Sequence, residues 1–231
     1  MYPMGFGFDS TMLILIPAVL LSLWAQSRVS STFAQYSGVY AHGGVTADQV
    51  ARMLLTRFGL GSMPINRVAG SLADNYNPAD RTLNLSESVY NSRSIASIGV
   101  AAHEVGHAIQ HSKLYAPLMF RNSIVPVVNI TTQASMPLFF IGLIMGNSML
   151  LNLGIILFCG SLVFHLVTLP VELDASSRAL KLLKETGTLT SDELDGARKV
   201  LNAAALTYVA AALMSILQLV RLIMIKNSRE R

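Results

Sequence analysis

The chain has 231 residues, of which 52% are hydrophobic and 13% charged, with a formal net charge of +4 and a single cysteine. This balance lies far from the soluble average and excludes an ordinary domain with a fully solvated surface; one cysteine excludes an intramolecular disulfide. The small positive excess forms no Lys/Arg tract interleaved with aromatics, so nucleic acid is not an expected partner and the lipid bilayer is.

Four apolar stretches approach the roughly 20 residues that a helix needs to cross a hydrocarbon core. The first, residues 10–26, contains TMLILIPAVLLSLWAQ, with Trp24 where an interfacial aromatic sits. Its leading region lacks Lys and Arg and no A-x-A site follows, which makes it a retained anchor rather than a signal peptide.

A polar segment, 27–122, comes next and is long enough for a small domain. Thr46 and Gln49 make a capping box, and Val50, Met53, Leu54 and Phe58 recur at helical spacing before Gly59 closes the helix. The Asn77-Pro78 turn then precedes an alternation, Thr82, Leu83, Asn84, Leu85 and Ser86, which predicts a short strand. Ser92 or Ser94 can cap a helix over residues 95–112. Residues 124–146 and 149–170 form the second and third apolar stretches, joined by a short turn, with Cys159 as a small apolar filler inside the third. The second is unusually polar between Pro126 and Pro137, where Asn129, Thr131, Thr132, Gln133 and Ser135 must face neighbouring helices or a water-filled cavity. Segment 171–202 carries a second capping box, Thr190 to Glu193, and residues 203–225 make the fourth stretch, in which Arg221 would have to snorkel.

The chemistry concentrates in GVAAHEVGHAIQHS, residues 99–112. His103 and His107 stand four residues apart, one turn on one helix face, so both imidazoles can reach one ion. Around them, Ile95, Ile98, Val105 and Ile109 mix with Ala101, Ala102, Gly106 and Ala108, the pattern of a helix buried on most sides. Burying an ionised glutamate unpaired costs several kcal/mol, so Glu104 needs a cation or a proton beside it. HEVGH fits H-E-x-x-H, in which two neutral imidazoles hold zinc and the glutamate is general base toward an activated water.

A catalytic zinc takes a third protein ligand. His111 lies too far down the helix and misses the metzincin spacing; His165 sits within an apolar stretch and suits an intramembrane hydrogen bond better. Glu172 and Asp174, just after Pro170, are the stronger pair. Because the second and third stretches form a hairpin, these acids emerge on the same side as His103 and His107.

YNPADRTLNLSESVYNSRSIASIGVAAHEVGHAIQ and PVELDASSRAL resemble the two central blocks of the YugP-type bacterial zinc metallopeptidases, membrane proteins distantly similar to the HtpX-type proteases, and the resemblance covers most of the chain. It implies a mainly α integral membrane protein with about four transmembrane helices, a small gluzincin-like catalytic domain with a short β element, and one Zn2+ per chain. In the HtpX-type proteases the third ligand opens an E-x-x-A-D pattern, which corresponds to Glu172 and Ala175; the acid is missing at Ser176, and Asp174 is present instead. The resemblance thus favours Glu172 as ligand and leaves Asp174 to orient His103 or His107.

Further roles follow as expectations. The strand Thr82 to Ser86 can receive an extended substrate by edge pairing or serve only as structure. Arg178 and Tyr90 are candidate oxyanion stabilisers, although Arg178 also suits a salt bridge to Asp174. Eight Lys and Arg lie in 27–122 and five in 171–202, which places the catalytic domain on the cytoplasmic side of the plasma membrane; Lys226, Arg229 and Arg231 disagree, standing outside if the last stretch spans. The function expected is a membrane-bound zinc endopeptidase acting on membrane-associated protein or peptide; the competing class is a catalytically inactive metal-binding membrane scaffold.

Overall fold

The computed structural model describes residues 10–229; the tail position at Arg231 lies outside them. The chain is mainly α, and four of its helices are long and apolar enough to cross a membrane. A 3-10 turn, Ser10–Leu15, leads into α1 (Ile16–Ser37), followed by α2 (Ala47–Arg57), strands β1 (Ile65–Val68), β2 (Asn75–Asn77) and β3 (Thr82–Ser86), and helices α3 (Ile95–Ser112), α4 (Ala116–Met145), α5 (Ser148–Glu185) and α6 (Ser191–Arg229). Backbone contacts divide these into two compact units.

The apolar unit consists of residues 10–24, 121–167 and 207–229. Its helices pack through small residues, as helices do where lipid offers no hydrophobic incentive: a Cβ on Gly154 would stand 2.8 Å from that of Phe139. Phe139, Leu151, Phe158 and Leu222 form its core. Asn147 caps α5, accepting from the Met149 and Leu150 N–H groups. His165 donates from Nδ1 to the Ser161 carbonyl and meets Ser215 Oγ, the intramembrane hydrogen-bonding role expected of it. Arg221 is buried and donates to Thr11 Oγ1 at 3.2 Å. Of the polar run in α4, Ser135 is buried, whereas Asn129 and Gln133 are exposed rather than packed between helices of this chain.

The second unit comprises residues 25–120 and 168–206. Its core joins Val50, Leu54 and Leu55 of α2, Leu83 and Leu85 of β3, Ile98, Val105 and Ile109 of α3, and Leu183 of α5. The elements begin and end where local chemistry dictates. Gln49 accepts from the Thr46 N–H at the start of α2, and Gly59 follows its end at φ +73°, a conformation that favours glycine. Ser94 caps α3 through the Ser97 N–H, and Thr190 with Glu193 closes a reciprocal box at the start of α6.

The strands form one sheet of order β1-β3-β2, with β1 parallel and β2 antiparallel to β3. The strand expected at Thr82 to Ser86 is present, but it is the middle one. With partners on both sides it has no open edge, so Thr82, Leu83, Asn84, Leu85 and Ser86 cannot receive a substrate by strand pairing. The open edges belong to β1 and β2. Asp74 ties one end of β2 to Ser86 through its N–H and Oγ, and Asn77 builds the turn at the other by accepting from the Ala79 N–H.

Candidate metal centre

His103 and His107 project from α3 toward the start of the α5 segment 168–185, where Glu172 is buried. Their Nε2 atoms lie 3.2 and 3.3 Å from the same carboxylate oxygen, Glu172 Oε2. Ligand atoms 2.0–2.1 Å from a tetrahedral zinc stand about 3.3 Å apart, so these two separations fit an ion among the three side chains. All three offer ligand atoms within 4.8 Å of one another.

The hydrogen bonds behind His107 decide which of its nitrogens carries the proton. Gln110 is fully buried, and its Nε2 faces two acceptors, the Val171 carbonyl and Asp174 Oδ2. Those acceptors fix the amide orientation and turn Gln110 Oε1 toward His107 Nδ1, 3.0 Å away. Nδ1 must therefore donate, and a neutral His107 directs its Nε2 lone pair at the Glu172 carboxylate. Two lone pairs facing each other at 3.3 Å need a cation between them, either a proton or a metal. The same opposition governs the imidazole pKa: burial pushes His107 down, but the hydrogen bond to Glu172, the charges of Glu104 and Glu172 and the bond to Gln110 raise it above its ordinary value. His103 Nδ1 is held by Ser176 Oγ at 3.1 Å. The hydroxyl at the position where the resembling pattern has an acid thus orients the first histidine.

Asp174 does not touch either histidine directly; it acts through Gln110 and is itself paired with Arg178. Arg178 also lies over the Tyr115 ring, 5.5 Å from its centroid, which engages it away from the trio. Tyr90 lines a separate cavity with Asp48, Gln49, Arg52, Met53 and Ile65. Neither residue is placed as an oxyanion stabiliser.

Glu104 is buried beside the trio, its charge acting on His107, and its Oε2 accepts from the Tyr76 N–H at 2.9 Å. Further along the same face, His111 Nδ1 meets Tyr76 Oη at 2.7 Å and is no ligand of the trio. Burial and the nearby Arg81 lower the His111 pKa, and burial raises that of Tyr76 against a smaller opposing effect of Arg81, so this is a neutral pair at pH 7. Sequence reasoning missed Gln110, Ser176 and Tyr76. Gln110, a polar residue inside an otherwise apolar helix face three positions after His107, carried the one usable signal.

A buried H-E-x-x-H helix facing a glutamate on a second helix makes a candidate metal centre, in a chain with four helices long and apolar enough to cross a membrane. Residues 11–227 match the family described as "Putative neutral zinc metallopeptidase", and the chain belongs to that family. It is 48% identical over 210 residues to "Putative membrane protease YugP" of Bacillus subtilis (strain 168), covering 91% of this chain and 93% of that protein. No solved structure matches the chain.

Proposed function

We propose that the protein is a membrane-bound zinc endopeptidase in which His103, His107 and Glu172 hold one zinc ion per chain and Glu104 is the general base. When bound, the ion supplies Lewis acidity, lowering the pKa of a water toward about 7 and polarising the scissile carbonyl. Glu104 accepts the proton of the attacking water as its oxygen bonds to the carbonyl carbon, and returns it to the amide nitrogen as the C–N bond breaks. Gln110 keeps the His107 Nδ1 proton in place, and the Ser176 hydroxyl can accept that of His103, so that both imidazoles can present Nε2.

The observation that carries this reading is the convergence of both Nε2 atoms on Glu172 Oε2 with a second buried carboxylate, Glu104, alongside. A metal-binding scaffold, the competing reading, has no use for that second carboxylate. The name of the B. subtilis relative supports proteolysis at a membrane. The substrate is then a membrane-associated protein or peptide, and the distribution of Lys and Arg favours an active site on the cytoplasmic side of the plasma membrane.

The test is zinc content together with casein cleavage by detergent-purified protein. Wild type should hold about one zinc and cleave, Glu104→Gln should keep zinc and lose cleavage, and Glu172→Gln should lose zinc. Wild type that held zinc and cleaved nothing would leave the scaffold reading in place, and full cleavage by Glu104→Gln would remove Glu104 as the base.

A further inference from the structure

We infer that Tyr76 is the positioning residue of the general base, with its backbone N–H orienting Glu104 and its hydroxyl anchored on His111. The inference rests on the reading of Glu104 as base. Successive amides of a strand face opposite sides. In the three-residue strand β2, Asn75, Tyr76 and Asn77 stand opposite Asn84, Leu83 and Thr82 of β3, and the Tyr76 N–H donates away from the ladder to Glu104 Oε2 at 2.9 Å. Tyr76 is therefore the one residue of β2 whose amide faces the open edge, and that amide is committed to the carboxylate.

The donor is also held still. Asp74 ties down one end of β2 and the Asn77 turn fixes the other. The side chain adds a third tether: Glu104 and His111 lie seven residues apart on α3, two turns or about 10 Å along one face, and Tyr76 reaches both, one through its N–H and the other through Oη at 2.7 Å. A fixed donor on Oε2 holds the carboxylate plane and leaves Oε1 to face the attacking water. Preorganised donors of this kind act without reorganising during reaction.

Proline at 76 removes the N–H alone from the backbone, and edge strands tolerate proline where the N–H faces away from the ladder. Alanine at 76 keeps the N–H and loses the ring. The experiment compares zinc content, circular dichroism and steady-state casein cleavage for wild type, Tyr76→Ala, Tyr76→Pro and Glu104→Gln. Tyr76→Pro should hold zinc as wild type does, keep KM within about twofold and lose roughly ten- to a hundredfold in kcat relative to Tyr76→Ala. Equal kcat for the two variants overturns the inference, as does a loss confined to KM, which would assign the amide to peptide binding. If Tyr76→Pro loses its fold or its zinc, the α-hydroxy acid analogue of tyrosine installed at 76 replaces the N–H by an ester oxygen with the side chain intact, and its kcat against wild type decides. Cleavage by Glu104→Gln, or none by wild type, sinks the underlying reading instead.

Discussion

A Cβ on Gly106 would stand 2.7 Å from the Ala175 carbonyl oxygen and 3.2 Å from its Cα, so α3 and α5 meet backbone to backbone between the histidines and Glu172. The contact is backbone on both sides and has no flexible side chain to yield. Gly106→Ala must push α5 away and carry Glu172 with it. Overpacking of this kind costs about 1–3 kcal/mol, and zinc affinity should fall by roughly tenfold or more, in line with losses on disturbing a ligand's support. Competition with a chromogenic chelator measures it; unchanged affinity would mean that the helices do not set the ligand geometry.

Gln110→Leu keeps the volume of a buried side chain and removes the acceptor that fixes the His107 tautomer. Zinc affinity should fall about 10- to 100-fold. Asp174→Asn should cost less, because the asparagine carbonyl can still accept from Gln110 Nε2. An Asp174 variant that matched Gln110→Leu in its loss would show Asp174 acting on the metal by another route.

The pH response follows from His107. Its folded pKa lies above the ordinary 6.5, so in chelator its contribution to stability is present below that value and is lost as pH rises through the folded pKa. Zinc needs the neutral imidazole and therefore gains as protons leave. Melting in EDTA should show Tm falling as pH rises above about 6.5, while the increment added by zinc grows over the same rise. A zinc increment that shrank with rising pH would contradict the assignment of His107 as ligand.

The elements legible in the sequence are those with strong local signals. HEVGH sits on a helix running from the Ser94 cap to Ser112, and Thr82–Ser86 is a strand, because caps, periodicity and alternation act over a few residues. Strand order does not: β1 and β2 are four and three residues long, carry little periodicity, and only their pairing shows that β3 is closed on both sides. The supports of the site were hidden for a related reason. Ser176 meets His103 73 residues away and the Gln110 amide is oriented by Val171 and Asp174, 61 and 64 residues away, while Tyr76 acts through a backbone N–H, which no side-chain motif can announce.

The buried Arg221 yields a test inside the apolar unit. A buried arginine must have its donors satisfied, since each unmet hydrogen bond to a charged group costs about 1–3 kcal/mol. Thr11→Val keeps the shape of the threonine and removes the oxygen that receives Arg221 Nε. It should lower the melting temperature in detergent. Arg221→Met removes the charge together with its need for partners, and replacing a buried charged group by an apolar one of similar length is often neutral or stabilising. The double variant should then melt close to Arg221→Met alone, because the threonine has lost the group it serves. If Arg221→Met instead proves the more damaging of the two single changes, the guanidinium holds the unit together through contacts beyond Thr11, and the pair is not the unit of stability that their geometry indicates.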